Sequence, residues 1–161
     1  MAKSKNRRKT APGDVATNRQ ATFRYELLER FEAGLVLTGT EVKSLRTNGA
    51  QMRDSYATLT PSKEVWLHNV HIPPYQPAAR ENHDPDRSRK VLLHRREIDR
   101  LVGRIRERGL TIVPTRMYFS GRNAKIELAL ARGKDVHDKR EAIREREQKR
   151  EMDRAVRSAH R

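Results

Sequence analysis

Apolar positions alternate with polar ones in several short runs of this chain, and in two others they recur at helical spacing. Leu35, Val36 and Leu37 form an apolar run that predicts a buried strand, reaching back to Phe23 with a bend near Gly34. Ile126, Leu128 and Leu130 alternate with Lys125, Glu127 and Ala129, which predicts a half-buried strand over Ala124 to Ala131 with one wet face. Ser55 to Thr60, Glu64 to Val70 and Thr111 to Phe119 read as three more strands, and Ser120-Gly121-Arg122-Asn123 as the turn before the last one. Ile98, Leu101, Val102 and Ile105 follow i, i+3, i+4, i+7, while Arg96, Arg100, Arg104 and Arg106 face elsewhere. This is an amphipathic helix ended by Gly109. Thr38 followed three residues on by Glu41 reads as a capping box opening a second helix, with Val42 and Leu45 inward and Asn48-Gly49 as its stop.

Between these elements Pro73, Pro74, Pro77 and Pro85 mark a long surface loop from Ile72 to Arg89. Residues 1–17 lack apolar periodicity and hold five Lys or Arg, so ordering their backbone finds no burial to offset it; they are expected to be a disordered basic arm. Residues 133–161 carry Glu and Asp placed three or four residues before Arg and Lys, but too few apolar side chains for a continuous stripe. A tail disordered when free and helical when bound is the expectation. Residues 18–132 then make the body. Five or six short strands with two helices predict a mainly β fold, a small OB-like antiparallel barrel with flanking helices and a basic C-terminal tail.

Charge points to the partner. The formal net charge is +15, with +6 from residues 1–24, +6 from residues 25–137 and +3 from residues 138–161, so the two ends hold more than half of the excess. Such a field attracts polyanions, and nucleic acid fits better than an anionic membrane because no apolar run approaches spanning length. Zero cysteines exclude disulfides, and the basic start lacks the apolar segment of a signal peptide; a cytoplasmic protein is expected. There is no nucleophile elbow, phosphate-cradling loop or dinucleotide fingerprint, so neither an enzyme nor a cofactor or small-molecule substrate is expected. His68 and His71 are spaced to opposite faces of a strand and poorly placed to share a metal. Glu81, His83, Asp84 and Asp86 offer donors for a nuclease-like cation site, but their plainer role is to punctuate the loop.

Arg87, Arg89 and Lys90 are candidate phosphate contacts, against the plainer reading of a solvated charge run. Glu32 is a candidate acceptor for base amino groups, or else a partner of Arg30 or Lys43. His137, with Asp138, Lys139 and Arg140, stands where body gives way to tail, either to stack and grip RNA or simply to open a helix. Aromatic residues make up only 5% of the chain, which favours recognition of a folded RNA by shape and backbone over base stacking.

Phe31 to Arg46 and Gly133 to Arg140, with Tyr118-Phe119-Ser120-Gly121 and Leu130-Ala131-Arg132-Gly133-Lys134, closely resemble the SsrA-binding protein family, SmpB, over about Asn18 to Arg140. The resemblance implies an OB-like barrel and a non-enzymatic adaptor. It would bind the tRNA-like domain of transfer-messenger RNA and deliver it to stalled ribosomes for trans-translation, probing an A site that lacks message with its tail. It implies RNA contacts at Asn18, Glu32 and Leu92, and places His137, Asp138, Lys139 and Arg140 at the decoding region of the small subunit. A monomer is expected. Phe23 and Arg24 stand where the family commonly has His and an acid, which affects contacts of those side chains but not the strand they are expected to begin. Ala155-Val156 is less bulky than the pair often found there. The rival from another class is a general basic OB-like ribosomal or assembly protein that binds structured RNA through counterion release.

Overall fold

The computed structural model describes residues 13–107 and 109–159; the side chains of Val136, His137 and Asp138 lie outside that description. In chain order the elements are β1 (Asp14–Thr17), α1 (Arg19–Arg24), β2 (Tyr25–Leu35), α2 (Gly39–Asn48), β3 (Tyr56–Leu59), β4 (Val65–His68), β5 (Arg89–Leu92), α3 (Arg95–Ile105), β6 (Leu110–Ser120), β7 (Asn123–Gly133) and α4 (Val136–Ala159). A short 3-10 turn at Gln76–Ala78 interrupts the proline-rich loop.

All the strand pairings are antiparallel, and six strands close on themselves: β6 pairs β3, β3 pairs β4, β4 pairs β5, β5 pairs β2, β2 pairs β7 and β7 returns to β6. Two of the closing contacts are short, Ala57 with Ile112 between β3 and β6 and Gly34 and Leu35 with Leu92 and Val91 between β2 and β5. One edge of β6 is paired with β7 from Leu110 to Ser120, while its other edge is shared, Ile112 meeting β3 and Arg116 to Tyr118 meeting β1. The expected antiparallel β architecture with flanking helices is therefore present.

Alternation decides what fills the ring. Ile126, Leu128 and Leu130 of β7 point inward with Phe31 and Ala33 of β2, Val65 and Leu67 of β4, and Ile112 and Met117 of β6. Helix α3 adds Leu101, fully buried, flanked by Ile98 and Ile105, as its spacing predicts. The other face of β7 departs from the expectation of a wet surface. Ala129 and Ala131 are covered, packed with Val113 and with Ala21 of α1, because their small side chains let a helix lie against the sheet.

Three boundaries differ from the sequence reading. The first strand begins at Tyr25, since Phe23 and Arg24 close α1, whose Ala21 finds burial that an extended chain would not give it. Arg89 to Leu92 form a strand that the loop and the following helix concealed, four residues being too few to show periodicity. Asp14–Thr17, assigned by sequence to the arm, pairs with β6, because the free half of that strand's edge supplies the hydrogen-bonding partners that local sequence does not reveal.

Gly49 links this added strand to α2. It ends the helix with φ +73°, its N–H bonded to Leu45 O at 3.2 Å, and a side chain there would meet the Val15 carbonyl at 2.8 Å. Gly49→Ala is expected to cost more than about 1 kcal/mol in urea unfolding, through both the left-handed backbone and the clash with β1; unchanged stability would show that neither constrains the fold.

Candidate nucleic-acid interface

A groove of about 650 Å³ opens at one end of the ring, where β2 ends, β5 turns into α3 and the β6–β7 hairpin folds over. Its lining includes Glu32, Leu92, His94, Arg122 and Lys125. Gly34 is paired with Leu92 on one side and Lys125 on the other, and lacks a side chain that would meet Leu92 Cβ at 3.6 Å. Two neighbouring strands thus deliver an apolar and a cationic side chain across a flat floor. Leu92 is 54% exposed, which its apolar side chain does not gain from in water; an apolar group beside cations suits the faces and phosphates of a nucleotide.

Glu32 projects at this rim with its side chain 61% exposed. Neither Arg30 nor Lys43 is its partner. Arg30 bonds Glu127 at 2.9 Å, Lys43 lies 5.7 Å from the Tyr75 ring centre, and Glu32 instead accepts from the Tyr118 hydroxyl, with Lys125 Nζ 3.9 Å from its other oxygen. Burial first, then the hydrogen bond to Glu32, pushes the Tyr118 hydroxyl up to about 12, so it stays protonated as a donor at neutral pH.

The three candidate phosphate cations have separate fates. Arg89 is fully buried, against its expected role: Nε bonds Glu41 Oε1 at 2.8 Å, Nη1 bonds Val70 O at 2.6 Å and Nη2 bonds Pro85 O at 3.0 Å. A guanidinium with all this donation turned inward has no surface for phosphate. Arg87 bonds the same carboxylate through Nε at 2.8 Å and Nη2 at 2.6 Å, leaving its side chain 30% exposed. Lys90 pairs with Glu64 at 2.5 Å, and that pair is open to solvent. Sequence spacing could not separate them, because Arg89 and Lys90 are neighbours on a strand and so face opposite sides.

Asn18 stands at the N-cap position of α1 and is largely buried, but its side chain is turned to β6, its Nδ2 bonding Pro114 O at 3.0 Å and its N–H bonding Thr115 O at 2.7 Å. Among the described residues its Oδ1 has no hydrogen-bond partner. It lies apart from the groove, under α1. The tail residues are further still. Lys134 holds the start of α4 to the body, its N–H bonding Arg24 O at 3.0 Å and its Nζ bonding Thr22 O at 3.1 Å. Lys139 and Arg140 follow in the first turns of α4, and the side chains of His137 and Asp138 fall outside the described residues. Lys125 is the third residue of β7 and Gly133 ends it, so at about 3.4 Å per residue the groove and the tail's root are roughly 27 Å apart.

Beyond its root α4 is exposed almost throughout, touching the body where the Arg146 guanidinium lies 5.3 Å from the Phe23 ring centre. His83, one of the acidic-loop candidates, is used to hold the loop, bonding Thr40 Oγ1 and Ile72 O, each at 3.0 Å. Sequence reasoning overlooked Arg122, Lys125 and Tyr118; the turn preceding β7 was the available signal, read only for its geometry.

A strongly basic ring of antiparallel strands, with a mixed apolar and cationic groove at one end and a charged helix at the other, defines a nucleic-acid-binding protein. The SmpB protein family profile matches residues 15–158, and the chain belongs to that family. The SsrA-binding protein of Sulfurihydrogenibium sp. (strain YO3AOP1) is 51% identical over 141 residues, covering 88% of this chain and 92% of that one. Its counterpart in Mycobacterium leprae (strain TN) is 55% identical over 138 residues, 86% of each chain. A solved structure described as "tmRNA-SmpB: a journey to the center of the bacterial ribosome" superposes with a TM-score of 0.65 at 45% identity, covering 80% of this chain and 94% of that chain.

The pair of arginines on Glu41 yields a stability prediction. Burial raises the Glu41 carboxyl, but the bonds from Arg87, the Thr38 N–H and Arg89 outweigh it and hold the group below its usual 4.5. A lowered folded value means stabilisation that is full above the ordinary carboxylate range and is lost as pH falls through the folded value. Glu41→Gln is expected to cost about 3–5 kcal/mol in urea unfolding at pH 7, and to flatten the loss of stability below pH about 4.5. Lys90→Ala, at an exposed pair, is expected to cost under about 1 kcal/mol. Equal losses for the two variants would contradict this assignment.

Proposed function

We propose that this chain is the protein partner of transfer-messenger RNA in trans-translation: its ring holds the tRNA-like domain of that RNA, and it enters stalled ribosomes with it. The observation that carries this is the groove, where Glu32, Leu92 and Lys125 stand together in a chain of net charge +15, combined with close likeness to SsrA-binding proteins along most of the chain. Cations supply affinity by releasing counterions from the RNA backbone. Glu32 accepts from base or ribose donors, and Leu92 packs on a base or sugar face.

In this reading the protein contributes shape and charge but no bond-making step, and peptide transfer belongs to the ribosome. The ring occupies the volume of a missing transfer-RNA arm. The tail, from His137 through Arg140 and along α4, lies in the message path when that path is empty. Met152 and Val156 are one helical turn apart and largely exposed, giving a narrow apolar contact for such a channel, and isolated helices with so little apolar packing are marginal in water. The helix α4, with so little packing on the body, takes its final placement from its binding site, and the protein works in the cytoplasm as a monomer.

Two measurements test this. Binding of transfer-messenger RNA and of ordinary transfer RNA at moderate salt should differ by more than tenfold; a difference of a few-fold would leave a general basic RNA binder. Truncation after Lys134 is expected to leave RNA affinity nearly intact and abolish tagging on stalled ribosomes, and equal loss of both would refute the division of labour.

A further inference from the structure

We infer that Tyr118 is a positioning residue for RNA recognition: its hydroxyl fixes Glu32 at the groove's rim and keeps that carboxylate from collapsing onto Lys125. The inference rests on the proposed RNA-binding role of the groove. Tyr118 does not itself line the groove, whereas Glu32 and Lys125 both do. Its hydroxyl donates to Glu32 Oε2, which leaves Oε1 at the rim, 3.9 Å from Lys125 Nζ.

The surroundings show why a fixing bond is needed. Glu32 is paired across strands with Glu127, and like charges directly opposite destabilise a sheet. Glu127 is occupied by Arg30 at 2.9 Å, by the Thr115 hydroxyl at 2.6 Å and by Arg116 at 3.6 Å. Arg116 also bonds Asp14 at 3.3 Å and lies over the Tyr118 ring, 4.5 Å from its centre, so the ring is clamped from the β1 side. Tyr118 thus hangs on a rigid ion-pair row and presents one donor to an otherwise exposed carboxylate.

Without that donor the nearest partner of Glu32 is Lys125. Closing the 3.9 Å gap would withdraw an acceptor and a cation from the ligand together. With the bond in place the Lys125–Glu32 ion pair stays long, at 3.9 Å, so that Lys125 can turn to a phosphate and Oε1 to an RNA donor, a base amino group or a ribose hydroxyl. The rotamer freedom of Glu32 is also spent before RNA arrives, which lowers the cost of binding. Tyr118 keeps its proton far above neutral pH, consistent with a permanent donor.

The test is a double-mutant cycle in the full chain, with a transcript of the tRNA-like domain as the probe. Tyr118→Phe is expected to weaken binding by about three- to tenfold when Glu32 is present, and by less than about twofold in a Glu32→Ala background. The ¹³Cζ resonance of Tyr118 at neutral pH is expected to move in Glu32→Ala, as a lost hydrogen bond requires. Equal losses in both backgrounds would mean that Tyr118 touches RNA or merely supports the sheet, and would overturn the inference. So would full affinity in Tyr118→Phe beside weakened Glu32→Ala, or an unmoved resonance. Full affinity in Glu32→Ala would instead overturn the RNA reading of the groove and the positioning role with it.

Discussion

One buried carboxylate ties the molecule together. Glu41 has no solvent exposure, yet it stands in the first turn of α2, where its Oε2 accepts the Thr38 N–H at 2.8 Å. Arg87 and Arg89 reach the same carboxylate from the end of the proline-rich loop, and Arg89 continues to the carbonyls of Val70 and Pro85. A helix start, the proline-rich loop, the segment after β4 and the first residue of β5 therefore share one charge cluster. Without that acceptor the fully buried Arg89 guanidinium would be left without its counter-charge in a low-dielectric interior, and half-buried Arg87 would lose both of its bonds to the carboxylate, a state costlier than the loss of one surface contact. The arrangement fixes where β5 begins, and β5 carries Lys90 outward and Leu92 to the groove.

From that anchor the rest is geometry of a closed ring. Antiparallel closure leaves two ends, and the chain uses them differently. At one, β2, β5 and the β6–β7 hairpin converge on a groove with an exposed leucine, two cations and a carboxylate held by tyrosine. At the other, β7 runs out into α4, a helix with little apolar surface of its own and one cation–π contact to the body. The 11 residues of β7 connect them as a rigid spacer, so occupancy of the groove and placement of the tail are set by one strand.

Much of this was legible in the residues. The period-two run ending in Leu130 and the helical spacing of Ile98, Leu101 and Ile105 declared the core, because burial of one face is what those patterns record. Glu32 and Leu92 line one groove, whereas Asn18, which the resemblance grouped with them, does not. What stayed hidden depended on partners distant in sequence. Glu41 read only as a capping residue, since nothing local says that two arginines 46 and 48 positions away will neutralise it. Arg89 read as a phosphate contact because charge does not announce burial. Ala129 read as wet because the helix that covers it begins more than a hundred residues earlier. Asp14–Thr17 read as disordered because a four-residue strand needs the waiting edge of β6.

The central claim is that folded RNA is gripped at the groove end of the ring, away from the root of α4. Its most direct measurement is a backbone and methyl NMR map of the full chain titrated with a transcript of the tRNA-like domain. The account predicts the largest changes at Glu32, Leu92, Arg122 and Lys125, with α4 beyond Arg140 little affected. Changes concentrated along α4, with the groove resonances unmoved, would contradict it.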